Sequence, residues 1–294
     1  MISLRELEFL ASLARRKHFA RAAEECGVSQ PAFSMRIRKL EEKLDTPIVK
    51  RGNRFQGFTA EGDALVRHAR KIVDDVKILE QEFRSAKGEI TGKLVLAVVP
   101  TAVIFAARAV KTLRTTHPGV KVSIQTATSL AIQQGLENGL FDAGITYGEG
   151  VSRDLLRVED LYRETYTLLA PIHLAPRLKG EVTWAEAAQL PLTLLEPGMQ
   201  NRRILDKVFD DLGLFPTVSV ETSGFLAAMV LAAEGMSATV VPGHLIEALG
   251  QPAGTVALRL TEPELEKNVT IVTPLRDPGL PTVDALRRAL MVIR

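Results

Sequence analysis

Gln30, Pro31, Ser34, Met35, Arg36 and Arg38 fall within nine residues of one another, and Arg51 and Arg54 follow shortly after. These residue types can read a nucleic acid. A glutamine amide pairs bidentately with adenine, and a methionine side chain can lie against a thymine methyl. A serine hydroxyl and arginine guanidinium groups hold phosphates, or in a narrow minor groove read its charge. Each has a plainer reading. Gln30 can be a solvated helix-start residue, Ser34 can bond back into its own helix, and Arg36 and Arg38 can be surface charge. Arg51 can simply brace its loop.

Other chemistries lack their residues. No HExxH, GxSxG, P-loop or GxGxxG pattern fits. His18, His68, His117, His173 and His244 show no metal-ligand spacing. No catalytic site, metal or cofactor is therefore expected. Cys26 is the one cysteine, which excludes an internal disulfide framework and a multi-cysteine zinc site. It reads as a small buried residue; redox sensing would require a resolving thiol from another chain.

The chain has 294 residues, 46% of them hydrophobic and 24% charged, with a net charge of +2. That length suggests about two domains, and the composition is that of a globular protein. No run of about 18 apolar residues occurs, so no transmembrane helix is expected. The opening MISLRELEFL lacks the basic-then-apolar layout of a secretory signal, and the expected location is the cytoplasm. The charge is uneven. Residues 1–58 carry +5, residues 59–88 are neutral and the remainder carries −3. A basic head on a mildly acidic body suits a polyanion partner.

The elements that must position these residues can be read in order. Leu4, Leu7, Leu10 and Leu13 follow helical spacing, and a short helix fits Phe19 to Glu25. Gly27 makes a tight turn. Ser29 is a good N-cap, Pro31 sits in the first turn, and Ile37, Leu40 and Leu44 share one face. Helix, short glycine turn, helix is a helix-turn-helix pattern. Residues 48–58 read as a small β-hairpin, a wing with Arg51 and Arg54 near its tip. Thr59 caps a helix running to about Lys87. Along it Leu65, Ala69, Ile72, Val76, Leu79 and Phe83 are spaced as an a/d heptad seam, which predicts dimerisation; the alternative is packing on the chain's own body.

From Lys93 apolar runs alternate with helical segments, which predicts parallel strands with right-handed crossovers. Strands are expected at 94–99, 120–127, 141–147, 165–170, 192–195, 218–221, 237–241 and 269–273. Helices are expected between several of them and at the C-terminal end, and Ser129 is expected to cap one.

Residues 19–34, FARAAEECGVSQPAFS, strongly resemble the DNA-binding segment of the LysR-type transcriptional regulators. Leu4, Leu7, Phe9, Ile37, Leu40, Glu41, Arg51, Thr59 and Gly62 extend the match. His117-Pro118 and Gly139-Leu140-Phe141-Asp142 fall where that family's effector domain has comparable turns. The sequence departs at Lys17-His18, Leu44-Asp45, Ile48-Val49 and Met35, so a base preference is not carried over. The resemblance implies an N-terminal all-α winged helix-turn-helix (1–58), a linker and dimerisation helix (59–88) and a two-lobed α/β effector domain (89–294) of periplasmic-binding-protein-like fold. Lobe I is expected at 89–162 and 268–294, lobe II at 163–267.

Such folds bind ligand at strand C-termini and helix N-termini. Pro100, Thr101, Thr128, Ser129, Gln200, Asn201, Thr222 and Ser223 meet that description, with Tyr147 as a wall and Arg202 to neutralise charge. They suit a small anion such as a carboxylate; singly, each is more often a helix cap. The expected partners are operator DNA carrying an interrupted inverted repeat, a second copy of the chain, a small metabolite and RNA polymerase. The resemblance also implies a dimer of dimers and DNA bending. A regulator controlled by a protein partner, or by nothing bound in the cleft, is the alternative.

Overall fold

The computed structural model describes residues 1–50, 52, 54–86, 88–175 and 180–293. Three helices open the chain: α1 (Leu4–Arg16), α2 (Phe19–Glu25) and α3 (Gln30–Leu44). Ser3 and Glu6 form a capping box on α1, which satisfies two of the orphan N–H groups of its first turn. Gly27 turns the chain at φ +67°, and Ser29 caps α3 through the Ala32 N–H. Phe9, Leu10, Leu13, Phe33, Ile37 and Leu40 close the core of this domain.

Among the described residues the wing pairs as an antiparallel hairpin: Val49 bridges Phe58, the Lys50 N–H donates to the Gly57 carbonyl at 3.0 Å and the Thr59 N–H to the Ile48 carbonyl at 2.9 Å. It is held from outside as well. Glu41 on α3 accepts the N–H groups of Ile48 at 2.8 Å and Val49 at 2.9 Å. Phe55 and Phe58 pack edge to face, and Phe55 packs on Phe19 of α2.

Thr59 caps α4 (Ala60–Ser85) by accepting the Gly62 N–H at 3.0 Å. The helix serves two domains. Val66 and Ala69 are buried in the helix-turn-helix core, with Leu65 and Val73 packed against it. One further turn on, Ile78 is buried in the core of the body. Lys77 pairs with Asp142 at 2.6 Å, Asp74 pairs with Arg276, and Gln81 accepts from the Thr282 hydroxyl at 3.1 Å.

The body begins with β1 (Gly92–Val98), a 3-10 turn at Pro100–Ala102, α5 (Val103–Thr116), β2 (Val120–Thr126), α6 (Ser129–Glu137) and β3 (Ala143–Tyr147). β1 pairs in parallel with both β2 and β3, as the βα pattern requires. β4 (Leu156–Pro171) follows, then β5 (Glu181–Thr183), α7 (Trp184–Ala187), β6 (Leu192–Leu195), α8 (Gln200–Asp211) and β7 (Val218–Thr222). The chain ends with α9 (Phe225–Ala233), β8 (Ala238–Pro242), α10 (Gly243–Leu249), β9 (Thr255–Thr261), β10 (Glu266–Pro274) and α11 (Pro281–Ile293).

The strand order is β2-β1-β3-β10-β4-β8-β6-β7, with β9 and β5 on the other edge of the distal half of β4. β4 therefore belongs to both lobes. Its residues 156–165 pair with β10, and 166–171 pair with β8 and β9. The lobe boundary expected near residue 163 lies inside this strand, and the change of partner comes at 165–166. The chain returns to lobe I between β9 and β10. Only the second half of β4 was expected. The first half, β5 and β9 are corrections. A bulge hides the first half: Asp160 and Tyr162 face consecutive residues of β10, leaving Leu161 out of the pairing, so a simple period-2 pattern is broken. Ser129 is also corrected: Thr128 caps α6 through the Ala131 N–H.

One close approach fixes the wing to α4. A Cβ on Gly62 would stand 2.1 Å from the carbonyl oxygen of Ile48, a backbone atom that already accepts the Thr59 N–H at 2.9 Å. Gly62→Ala would gain about 1 kcal/mol of helix propensity. Overpacking against backbone outweighs it, at about 1–3 kcal/mol. The melting midpoint of Gly62→Ala is expected below wild type by circular dichroism. An unchanged or higher midpoint would show that the wing moves aside freely.

Candidate functional site

The first candidate surface lies between α3 and the wing. An open groove of about 1000 Å³ is lined there by Gln30, Ser34 and Arg38 of α3 and by Lys50 and Arg54 of the wing. Gln30, Ser34 and Arg38 are spaced by four, so they stack along one face of α3. Pro31 and Met35 occupy the adjacent exposed stripe. Arg36 is placed elsewhere: its guanidinium lies over the Phe9 ring, 5.4 Å from the centroid, which holds it on the α1 side. Arg51 lies outside the described residues. Cys26 is buried beneath this domain, and burial raises its thiol pKa, so it behaves as a packing residue.

The second candidate site lies where β4 changes lobes. Thr101, in the 3-10 turn after β1, Tyr147, ending β3, and Asn201, in the first turn of α8, lie near one another. They surround a residue that was not expected, Glu164, which is 0% exposed. The Tyr147 hydroxyl donates to Glu164 Oε1 at 2.7 Å and stands 3.3 Å from Thr101 Oγ1. Glu164 Oε2 and the Tyr162 hydroxyl complete no hydrogen bond, and the Tyr166 hydroxyl and the Asn201 amide, which lie close to Glu164 and Tyr147, complete none of full geometry. His244 donates from Nε2 to the Thr101 carbonyl at 2.9 Å. Its ring packs on Tyr162 at 5.5 Å, and burial holds its pKa below the ordinary value.

The electrostatics follow from burial. Desolvation pushes the Glu164 carboxyl up to about 7, against the hydroxyls of Tyr147, Tyr166 and Thr101, which favour the charged form. Burial and the nearby Glu164 charge raise Tyr147 and Tyr166 well above the tyrosine range. All three tyrosines of the sequence thus gather about one carboxyl. Their shared scarcity was the one sequence signal that could have drawn attention to it.

The remaining expected residues are engaged otherwise. Arg202 is spent on Asp206 at 2.7 Å, Glu221 at 2.9 Å and the Leu195 carbonyl at 2.8 Å. The positive charge assigned to the crevice is therefore corrected: the buried charge there is an acid. Thr128 caps α6, and the neighbouring Ser129 hydroxyl is buried without a partner. Pro100 opens the 3-10 turn. Thr222 closes a local turn with Gly224, and Ser223 is exposed. Gln200 lines a separate groove of about 390 Å³ with Arg203, Lys207 and Lys267.

The seam residues divide. Ala69 is enclosed by its own domain and Leu65 packs against the same core, which removes both from an intermolecular seam. Ile72 and Leu79 are 44% and 64% exposed, and Phe83 is exposed beyond them. Val76 is half-buried. Among the described residues no group of three or more acidic, histidine or cysteine side chains is arranged to hold a metal, and no helix is long and apolar enough to cross a membrane.

The raised Glu164 pKa fixes the sign of a pH effect. The folded chain binds this proton more tightly than the unfolded chain, whose value is 4.5. Stability therefore falls as pH rises from 4.5 to about 7, and the full loss, on the order of 3 kcal/mol, is present above that range. Glu164→Gln is expected to melt higher than wild type at pH 8 and to match it near pH 4.5. Parallel pH–stability curves for the two chains would remove Glu164 as the source.

Two family descriptions match the chain. Residues 4–63 match "Bacterial regulatory helix-turn-helix protein, lysR family" and residues 87–291 match "LysR substrate binding domain". The chain is similar to the DNA-binding transcriptional dual regulator OxyR of Escherichia coli K12, at 30% identity over 97% of this chain and 95% of that protein. It is similar to the regulator CbbR of Rhodospirillum rubrum, at 27% identity over 80% of this chain and 78% of that protein. In fold it is similar to a full-length OxyR variant from Pseudomonas aeruginosa, with a TM-score of 0.73 at 22% identity over 99% and 98% of the two chains. A full-length CbnR solved with its target DNA gives 0.64 at 19% identity over all of both chains. The protein is a DNA-binding transcriptional regulator, not an enzyme, and belongs to the LysR family.

Proposed function

We propose that this regulator binds an interrupted inverted repeat as a dimer joined along α4, and that a small molecule between the lobes of its body sets the outcome. The observation that carries the DNA-binding half is the groove shared by Gln30, Ser34, Arg38 and Arg54. Its depth between a helix and a wing admits duplex backbone while the N-terminal turn of α3 meets base edges. Gln30 reads a base; Ser34, Arg38 and Arg54 hold phosphates. Pro31 and Met35 supply apolar contact, and Arg36 stays with Phe9. One such domain buries too little surface for strong specificity, so two are joined.

The joining surface is the outer face of α4 from Ile72 through Leu79, which its own chain leaves exposed. A dimer of dimers, as the family resemblance implies, and a contact with RNA polymerase extend the same reading. The cytoplasm is the location that suits it. The small molecule has its place at Thr101, Tyr147 and Asn201, where buried polar atoms converge. Several relatives are named as hydrogen peroxide-inducible gene activators. A peroxide response is not carried over to this chain; residues 89–294 contain no cysteine.

Gel-shift titrations test the DNA contacts. Gln30→Ala is expected to cost about 1–3 kcal/mol on the cognate operator and little on unrelated duplex. Arg38→Ala weakens binding to all sequences and lowers the salt slope by about one. Wild-type affinity and slope in both variants would move the interface elsewhere. Leu79→Asp is expected to sediment as a smaller species than wild type and to lose operator affinity. An unchanged sedimentation coefficient would put the dimer contact on another face.

A further inference from the structure

We propose that the head group received between the lobes is a small nitrogen cation, an ammonium or amidinium, and not a carboxylate. The proposal rests on the effector reading above and names the chemistry of that site. Glu164 is wholly buried, with one oxygen held by Tyr147 and the other, Oε2, without a partner. Asn201 is 3% exposed with both amide atoms unpaired, so its Oδ1 is a second vacant acceptor. The Tyr162 hydroxyl is buried and unpaired as well, and a hydroxyl oxygen accepts as readily as it donates.

No protein cation balances this acid among the described residues. Arg202, the nearest expected candidate, is committed to Asp206 and Glu221. His244 spends its Nε2 proton on the Thr101 carbonyl. Groups acting on the Glu164 carboxyl are hydroxyls alone. A buried carboxylate is stabilised chiefly by a paired positive charge whose N–H groups meet its free lone pairs. An anion placed here would instead face like charge at short range, which desolvation makes severe. A divalent metal is also poorly served, because it requires several oxygen ligands of which charged carboxylates are the usual core, and only one is present. An ammonium bearing three donors matches Glu164 Oε2, Asn201 Oδ1 and a tyrosine hydroxyl in number and in sign.

The full chain is titrated at pH 8 and fixed ionic strength with methylammonium, 1,4-diaminobutane and 4-aminobutylguanidine, and with succinate and benzoate. Thermal midpoint and calorimetric affinity are read for wild type, Glu164→Gln and Asn201→Ala, with operator binding alongside. At least one amine is expected to raise the wild-type midpoint, to bind at least about tenfold more weakly to Glu164→Gln, and to bind more weakly to Asn201→Ala. The second variant keeps the carboxylate, so a folding defect in the first does not decide the matter. A carboxylate that shifts the midpoint and alters operator binding overturns the cation and leaves the effector reading standing. An amine that binds Glu164→Gln as well as wild type overturns the site. No shift from any amine overturns the proposal, and no shift from any amine or carboxylate overturns the effector reading with it.

Discussion

A carboxylate withdrawn from water at the point where one strand passes between two lobes sets the terms for the rest of the body. Moving an isolated acid into a protein interior costs several kcal/mol even after relaxation. The structure answers with one strong bond from Tyr147, by gathering hydroxyls, and by letting the proton bind more tightly. Each of these ties lobe to lobe. Tyr147 belongs to β3 of lobe I, Asn201 to α8 and His244 to α10 of lobe II, and Glu164 to the strand they share. His244 closes the circuit on the Thr101 carbonyl. The interface between lobes is therefore a polar one with vacant bonding capacity, and polar interfaces of this kind have two ways to be satisfied where apolar ones have one.

The long helix imposes the matching constraint on the other side. α4 is not a free spacer, since one stretch packs into the helix-turn-helix core and the next into the body. The polar latches Asp74–Arg276 and Lys77–Asp142 are half-buried pairs, so they set orientation more than they add stability. Gln81, buried and bonded to Thr282, makes the contact specific. What remains for a second copy is the outer face alone. A uniform heptad reading could not separate these roles, because a repeat of 3.5 residues is satisfied equally by a partner chain and by the chain's own domains.

The legible parts of the fold were those governed by local signals. Gly27, Ser29 and Pro31 fix the turn and start of α3 by backbone geometry and capping, which depend only on neighbours. The wing's further support from Glu41 was not legible, because a side chain seven residues away on another element supplies it. Thr101, Tyr147 and Asn201 were singled out by the rule that ligands meet strand ends and helix starts, and the structure sets Tyr147 beside Thr101 and Glu164. Arg202 was assigned to the crevice although Asp206 stands four residues on, a helical pairing visible in the sequence. Glu164 was hidden in the charged run from Arg157 to Glu164, which reads as solvent-facing. The bulge at Leu161 moves the even-numbered residues to the other face of β4, and a one-residue slip exchanges every inside for an outside.

β3 runs from the linker helix contact to the buried acid. Asp142, the residue before it, takes the Lys77 ammonium of α4 on one oxygen and the Val95 N–H on the other. Tyr147, its last residue, holds Glu164. All five residues of the strand are buried, with β1 on one side and β10 on the other. A close-packed strand can shift as a unit but can hardly stretch. A change at Glu164 that displaced Tyr147 would therefore meet a strand with little room to absorb it. Position along a path is not in itself coupling. One end of this one is an ion pair and the other a hydroxyl donating to a carboxyl, two polar contacts that a buried strand holds at a fixed separation.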